Sequence, residues 1–193
     1  DEPINETGSQ EQLSGDTLAT VNGEEITSED VSEIQESVFS QGQEIPEEQA
    51  IELLVNQKVL EQKAQEEEIT VSDEEVESSI EEQLSPQGAT LEDYKEQLKA
   101  QGISYDEHLE ILKKDFATEK FLYIKLEGEN FEVSEEEARE YYNMYASQSP
   151  EEEVPSYEEM EEQIVANLEQ QKRQEAIENL IQDFKSDADI EYE

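Results

Sequence analysis

Only two stretches of this chain look like β-strand, and they lie near its opposite ends. Near the start, Leu18-Ala19-Thr20-Val21-Asn22-Gly23-Glu24-Glu25-Ile26-Thr27 is a short β-prone run with a turn-type Asn-Gly inside it. Near the end, Ala188-Asp189-Ile190-Glu191-Tyr192 alternates apolar and polar residues. A strand on its own leaves its backbone N–H and C=O groups unpaired. Each segment therefore predicts the other as its partner. The expected fold class is mainly α: a multi-helix domain closed by a short antiparallel pairing of the N- and C-terminal strands.

The helices between are marked by their starts. Six segments open with Ser or Thr followed three residues later by an acid: Thr27 with Asp30, Ser72 with Glu75, Thr90 with Asp93, Ser104 with Glu107, Ser134 with Glu137, and Ser156 with Glu159. In such a box the hydroxyl accepts a backbone N–H, while the carboxylate reaches back and favours the positive helix end. Pro46 before Glu47 and Glu48 suits the first turn of a further helix. Apolar spacing supplies the faces. Val31, Ile34 and Val38 line the first helix. Ile51, Leu54, Val55 and Val59, widened by Leu53 and Leu60, make the second the expected central helix. Ala138, Tyr141, Tyr142 and Tyr145 mark the sixth, and Met160, Ile164, Leu168, Ile177, Leu180, Ile181 and Phe184 the last.

Charge limits the partners. The chain has 55 Asp and Glu against 12 Lys and Arg, a formal charge of -43. That field repels phosphates, which argues against nucleic acid and anionic membranes. No apolar run is long enough to span a bilayer. Dense carboxylates also suit molar salt, where screening shortens repulsion to about 3 Å, so a halophilic origin is one reading. An acidic secreted protein with solvated helix faces is the other. No Cys is present, which leaves no thiol chemistry. Residues 1–16 are polar and aperiodic and are expected to form a flexible tether, with the folded domain at 17–193.

Four segments in order carry a family resemblance. "ATVNGEEITSEDV" looks like the opening strand and first helix of the chaperone module of SurA and PrsA. "QAIELLVNQKVLEQKAQEEEITVSDEEVESSIEEQL" resembles its central helix and the junction that follows. "VSEEEAREYYNMY" resembles the helix that leads into a parvulin-type prolyl isomerase domain. "PSYEEMEEQIVANLEQQKRQEAIENLIQDFKSDADIEY" resembles the C-terminal helix and closing strand after that domain. Between Tyr145 and Ser156, however, there is only the short acidic, Pro-containing stretch 146–155. It is too short for a parvulin fold. The resemblance thus implies a chaperone module without isomerase chemistry.

Residues with chemical potential are few. His108, the only histidine, sits on a helix between Glu107 and Leu109 and reads as a surface residue, because no second catalytic group is positioned with it. The acid runs Asp73-Glu74-Glu75, Glu135-Glu136-Glu137 and Glu151-Glu152-Glu153 lack EF-hand spacing and read as solvated faces. Lys172-Arg173 is expected to pair with acids such as Glu169 or Glu178 on its own helix. Tyr141 and Tyr145 fall on one helical face and are expected inward. Tyr142 and Met144 are the candidates for an exposed polypeptide-binding patch, being adaptable and partly polar.

The expected function is that of a non-catalytic chaperone with no cofactor and no metal. It would bind unfolded or extended polypeptides outside the cytoplasm, secreted or surface-tethered after removal of a signal. The alternative is an acidic adaptor that sequesters basic protein partners by electrostatics. The sequence leaves clients and oligomeric state open.

Overall fold

The Asn22-Gly23 pair turns the first β-prone run back on itself. In the computed structural model, which describes residues 15–40, 42–148 and 154–193, Asn22 and Gly23 have φ of 52° and 83°. Positive φ at both central residues is what a type I′ hairpin requires, and Asn-Gly meets it at least cost. The run is thus two strands, β1 (Thr17–Val21) and β2 (Glu24–Thr27). The C-terminal segment supplies β3 (Ile190–Tyr192), and the order is β2-β1-β3, antiparallel throughout. The pairing of the ends is therefore one half of a three-stranded sheet, with β1 in the middle. Between Thr17 and Ala19 the β1–β2 register slips by one residue, a bulge at Leu18.

Seven α-helices occur among the described residues: α1 (Ser28–Ser40), α2 (Glu47–Glu66), α3 (Asp73–Leu84), α4 (Leu91–Ala100), α5 (Tyr105–Lys125), α6 (Glu135–Gln148) and α7 (Tyr157–Asp187). Their starts follow from local chemistry. Reciprocal capping boxes form at Thr27–Asp30, Ser72–Glu75, Thr90–Asp93 and Ser134–Glu137, with contacts of 2.7 to 3.3 Å. At Ser104 the hydroxyl accepts the Glu107 N–H at 3.5 Å. At Ser156 the backbone N–H donates to the Glu159 carboxylate at 2.9 Å. The Pro46 carbonyl accepts the Ala50 N–H at 3.0 Å, which opens α2.

The chain divides into two compact units, with boundaries inside α2 and α7. The first comprises the described residues up to Lys63 together with Phe184–Glu193. Alternation in β1 sends Ala19 and Val21 inward, both fully buried, against Ile26, Val31, Val55 and Val59. Ile190 and Phe184 pack on that cluster from the C-terminal end. Asn22 ties the parts together. Its N–H donates to the Asp189 carbonyl at 2.7 Å and its Oδ1 accepts the Asp189 N–H at 2.8 Å. Its Nδ2 donates to Gln62 Oε1 at 2.7 Å, while Gln62 Nε2 donates to the Val21 carbonyl at 3.0 Å. Lys185 and the Tyr192 hydroxyl both bond to Glu52, at 2.6 and 3.0 Å. Leu53, expected on the buried stripe, is instead 46% exposed.

The second unit, Ala64–Asp183, has two apolar clusters. Val76 and Ile80 of α3 meet Leu109 of α5, with Tyr94 and Tyr105 at their margin. Ala138 of α6 meets Tyr157 and Ile164 of α7. Of the expected tether, residues 1–14 lie outside the described residues; Asp16 exchanges hydrogen bonds with Ser28 at 2.9 and 3.2 Å. Of the stretch 146–155, Ala146–Gln148 continue α6, and 149–153 lie outside the described residues. No helix among the described residues is long and apolar enough to cross a membrane.

Candidate functional site

The last turns of α5 are apolar on more than one side. Phe121 points inward and is fully buried. Leu122 and Tyr123 are then turned elsewhere, and the Tyr123 ring is 73% exposed. The helix ends at Leu126, whose N–H bonds to the Leu122 carbonyl at 3.0 Å. Gly128, with φ 93°, reverses the chain, and the Asn130 side chain accepts the Glu132 N–H at 2.9 Å to shape the following turn. This brings Phe131 beneath Arg173 of α7, with 5.4 Å from guanidinium to ring centre. The result is a groove of about 450 Å³ between α5, the turn and α7. Among its lining residues, Leu122, Leu126, Phe131 and Ile177 are half-buried and form the apolar floor, while Tyr123, Glu119, Glu127, Glu129 and the one cation, Arg173, are exposed at its rim.

The rim stays negative because neighbouring cations are committed elsewhere. Lys120 donates to the Thr70 carbonyl at 3.1 Å and lies 3.4 Å from Glu75. Lys125 pairs with Glu67. Lys172, expected to pair along its own helix, reaches Glu137 at 2.8 Å and the Glu132 carbonyl at 2.9 Å. The Lys172 ammonium, with the Ser134 N–H and hydroxyl, holds the Glu137 carboxyl down at about 2 from an ordinary 4.5. Lys172 and Arg173 are neighbours in sequence yet point to different targets, because successive helical residues are about 100° apart. Among the described residues, no hydrogen bond or ion pair engages the carboxylates of Glu119, Glu127 or Glu129.

The two residues singled out by sequence sit on α6, away from that groove's lining. Met144 is 53% exposed. Tyr142 is half-buried: its ring meets Tyr157 edge-on at 5.7 Å between centres, and its hydroxyl donates to the Pro155 carbonyl at 2.8 Å. Tyr141 packs inward as expected, but Tyr145 is 42% exposed. The inward pair on α6 is thus Tyr141 and Tyr142, three and four residues after the buried Ala138.

His108 is not a surface residue. It is half-buried, and its Nε2 lies 2.7 Å from the Tyr94 hydroxyl. The acid runs serve the fold: Asp73 pairs with Lys113 at 2.9 Å, Glu135 with Arg139 at 2.8 Å, and Glu75 and Glu137 cap helices. Glu151–Glu153 lie outside the described residues. Among the described residues no group of His, Cys, Asp or Glu is arranged to hold a metal. In the first unit, a cleft of about 380 Å³ beside α1 and α2 is edged by Glu25, Asp30, Glu33 and Glu61, and Phe39 stands 65% exposed near a shallower one.

Comparison with solved structures finds a similar fold in work on Campylobacter jejuni. That work describes the virulence factor PEB4 and the periplasmic protein Cj1289 as two structurally related SurA-like chaperones. The match has a TM-score of 0.67 and covers 92% of this chain and 98% of that one. At 15% identity, it is a likeness of fold. No curated protein matches the sequence. The model of the SurA-like N-terminal domain matches residues 4–122, more than half of the chain. The chain therefore belongs to the family of the SurA-like N-terminal domain.

Proposed function

We propose that this protein is a non-catalytic chaperone that holds extended or incompletely folded polypeptides outside the cytoplasm. The observation that carries this reading is the open groove between α5 and α7, whose floor is apolar and whose Tyr123 ring is 73% exposed. An exposed apolar surface of this kind covers the apolar segments that make unfolded chains aggregate. Tyr and Leu side chains in an open groove accept varied sequences, because the contact is area rather than a fixed hydrogen-bond pattern. Met144, exposed on α6, offers a second contact, with the half-buried Tyr142 at its margin toward the α6–α7 cluster. Membership of the SurA-like family supports the chaperone role.

The test is suppression of aggregation of several unrelated unfolded proteins, repeated as salt rises to molar KCl. Apolar holding persists as charge is screened. The acidic adaptor is favoured by the charge of -43, and activity that fails in high salt and extends only to basic proteins would establish it instead. The non-catalytic reading is tested separately. Refolding limited by proline isomerisation should keep its uncatalysed time of tens to hundreds of seconds in the presence of the protein. Acceleration that survives repurification would refute it.

A further inference from the structure

We propose that the α5–α7 groove selects extended segments in which Lys or Arg flank a short apolar run. This rests on the chaperone reading and names the class of client it would take. The floor of the groove is apolar, while three carboxylates, Glu119, Glu127 and Glu129, stand on its rim against the single guanidinium of Arg173. That guanidinium already lies over the Phe131 ring at 5.4 Å. Among the described residues no cation neutralises the three acids, and Lys120, Lys125 and Lys172 are bound to other acids and carbonyls. A client whose apolar side chains fill the floor therefore brings its flanks against unneutralised negative charge. Lysine or arginine there gains ion pairs, and aspartate or glutamate is repelled. Elsewhere on this chain acids are so numerous that charge alone attracts any basic protein. The groove differs in coupling that charge to an apolar floor, so neither feature alone makes a good client.

Fluorescence anisotropy on the full chain tests this with three labelled peptides that share a core of leucine, valine and phenylalanine. Their flanks are lysine, serine or glutamate. The variants are Tyr123→Ser and the combined Glu119→Gln, Glu127→Gln and Glu129→Gln. All four positions are exposed, and removing negative charge from a chain of -43 relieves repulsion, so folding is retained and a thermal melt verifies it. In dilute buffer the lysine-flanked peptide should bind about tenfold tighter than the serine-flanked one, as three exposed ion pairs together would give. The glutamine variant should bring the two together, and molar KCl should do the same. Tyr123→Ser should weaken both. Equal affinity for lysine and serine flanks, or a preference that survives in the glutamine variant, overturns the selectivity. If the protein still prevents aggregation and Tyr123→Ser still weakens binding, the chaperone reading stands without it. A chain that binds none of the peptides and prevents no aggregation overturns both.

Discussion

Removing residues 189–193 should destabilise the whole first unit, not only its tail. The deletion takes away β3 and with it one of the two partners of β1. Three hydrogen bonds at the margins of the pairing go with it: Asn22 N–H to the Asp189 carbonyl, Asp189 N–H to Asn22 Oδ1, and Glu193 N–H to the Leu18 carbonyl, at 2.7, 2.8 and 3.0 Å. At about 1 kcal/mol net each, these contribute about 3 kcal/mol. Ile190, half-buried against the first apolar cluster, adds about 1 kcal/mol. The Tyr192 hydroxyl leaves Glu52, whose bond to Lys185 remains. A loss of about 4 kcal/mol is a large share of a typical stability of about 5–15 kcal/mol. For a chain of this length it lowers Tm by roughly 8–16 °C. Circular dichroism melts of the full and truncated chains in the same molar KCl buffer measure it. A truncated chain that melts within about 2 °C of the full one would show that β1 and β2 are held by α1 and α2 alone, and would refute the reasoning.

Other outcomes follow from charge and packing. Tm should rise from dilute buffer to molar KCl, because screening relieves self-repulsion at a net charge of -43; a flat or falling curve counts against a halophilic origin. Glu137 has a folded pKa held down to about 2 from 4.5 by Lys172 and Ser134. Its stabilising effect is therefore complete above about 4.5 and is lost as pH falls toward about 2. Glu137→Gln should melt below the parent at neutral pH, and the gap should close across that acid range. Tyr142→Ala should cost about 2 kcal/mol, since it empties the edge-on contact with Tyr157 and frees the Pro155 carbonyl. Met144→Ala should leave Tm unchanged and weaken polypeptide holding; holding that is unchanged removes Met144 from the client surface.

What the sequence revealed was what local chemistry decides. Helix starts at Thr27, Ser72, Thr90, Ser104, Ser134 and Ser156 were legible because each cap closes within four residues. The partnership of the chain's ends was legible because unpaired strands are so costly. The extra strand was less so: β2 has only four residues, and its sole sign was the Asn-Gly turn before it. The phase of α6 departs from its apolar spacing for a tertiary reason. Tyr145 has the right spacing to face inward, but it lies one turn from the end of α6 and outside the cluster around Tyr157. Tyr142 is drawn in by that cluster and by the Pro155 carbonyl. The α5–α7 groove had no signature of its own. Ile177 lies 46 residues beyond Phe131 and 55 beyond Leu122, and Leu122 and Tyr123 read as part of an ordinary apolar stretch. Only the unpaired acids around Gly128, in "LEGENF", hinted at an exposed turn.

Because β1 sits between β2 and β3, synthesis itself orders the folding of this molecule. Asn22 emerges from the ribosome early, yet its partner Asp189 lies 167 residues later. Until that residue appears, β1 has one open edge and the cluster around Val21 lacks Phe184 and Ile190. The contiguous unit, Ala64–Asp183, has all its residues before then and can condense first. The discontinuous unit must wait, holding an incomplete sheet whose free edge is a template for any other strand. Between the synthesis of Asn22 and that of Asp189, the nascent chain thus needs the same protection from stray pairing that unfolded proteins need. The sheet's other edge carries its own protection, because β2 is only four residues long and bears the exposed Glu24 and Glu25.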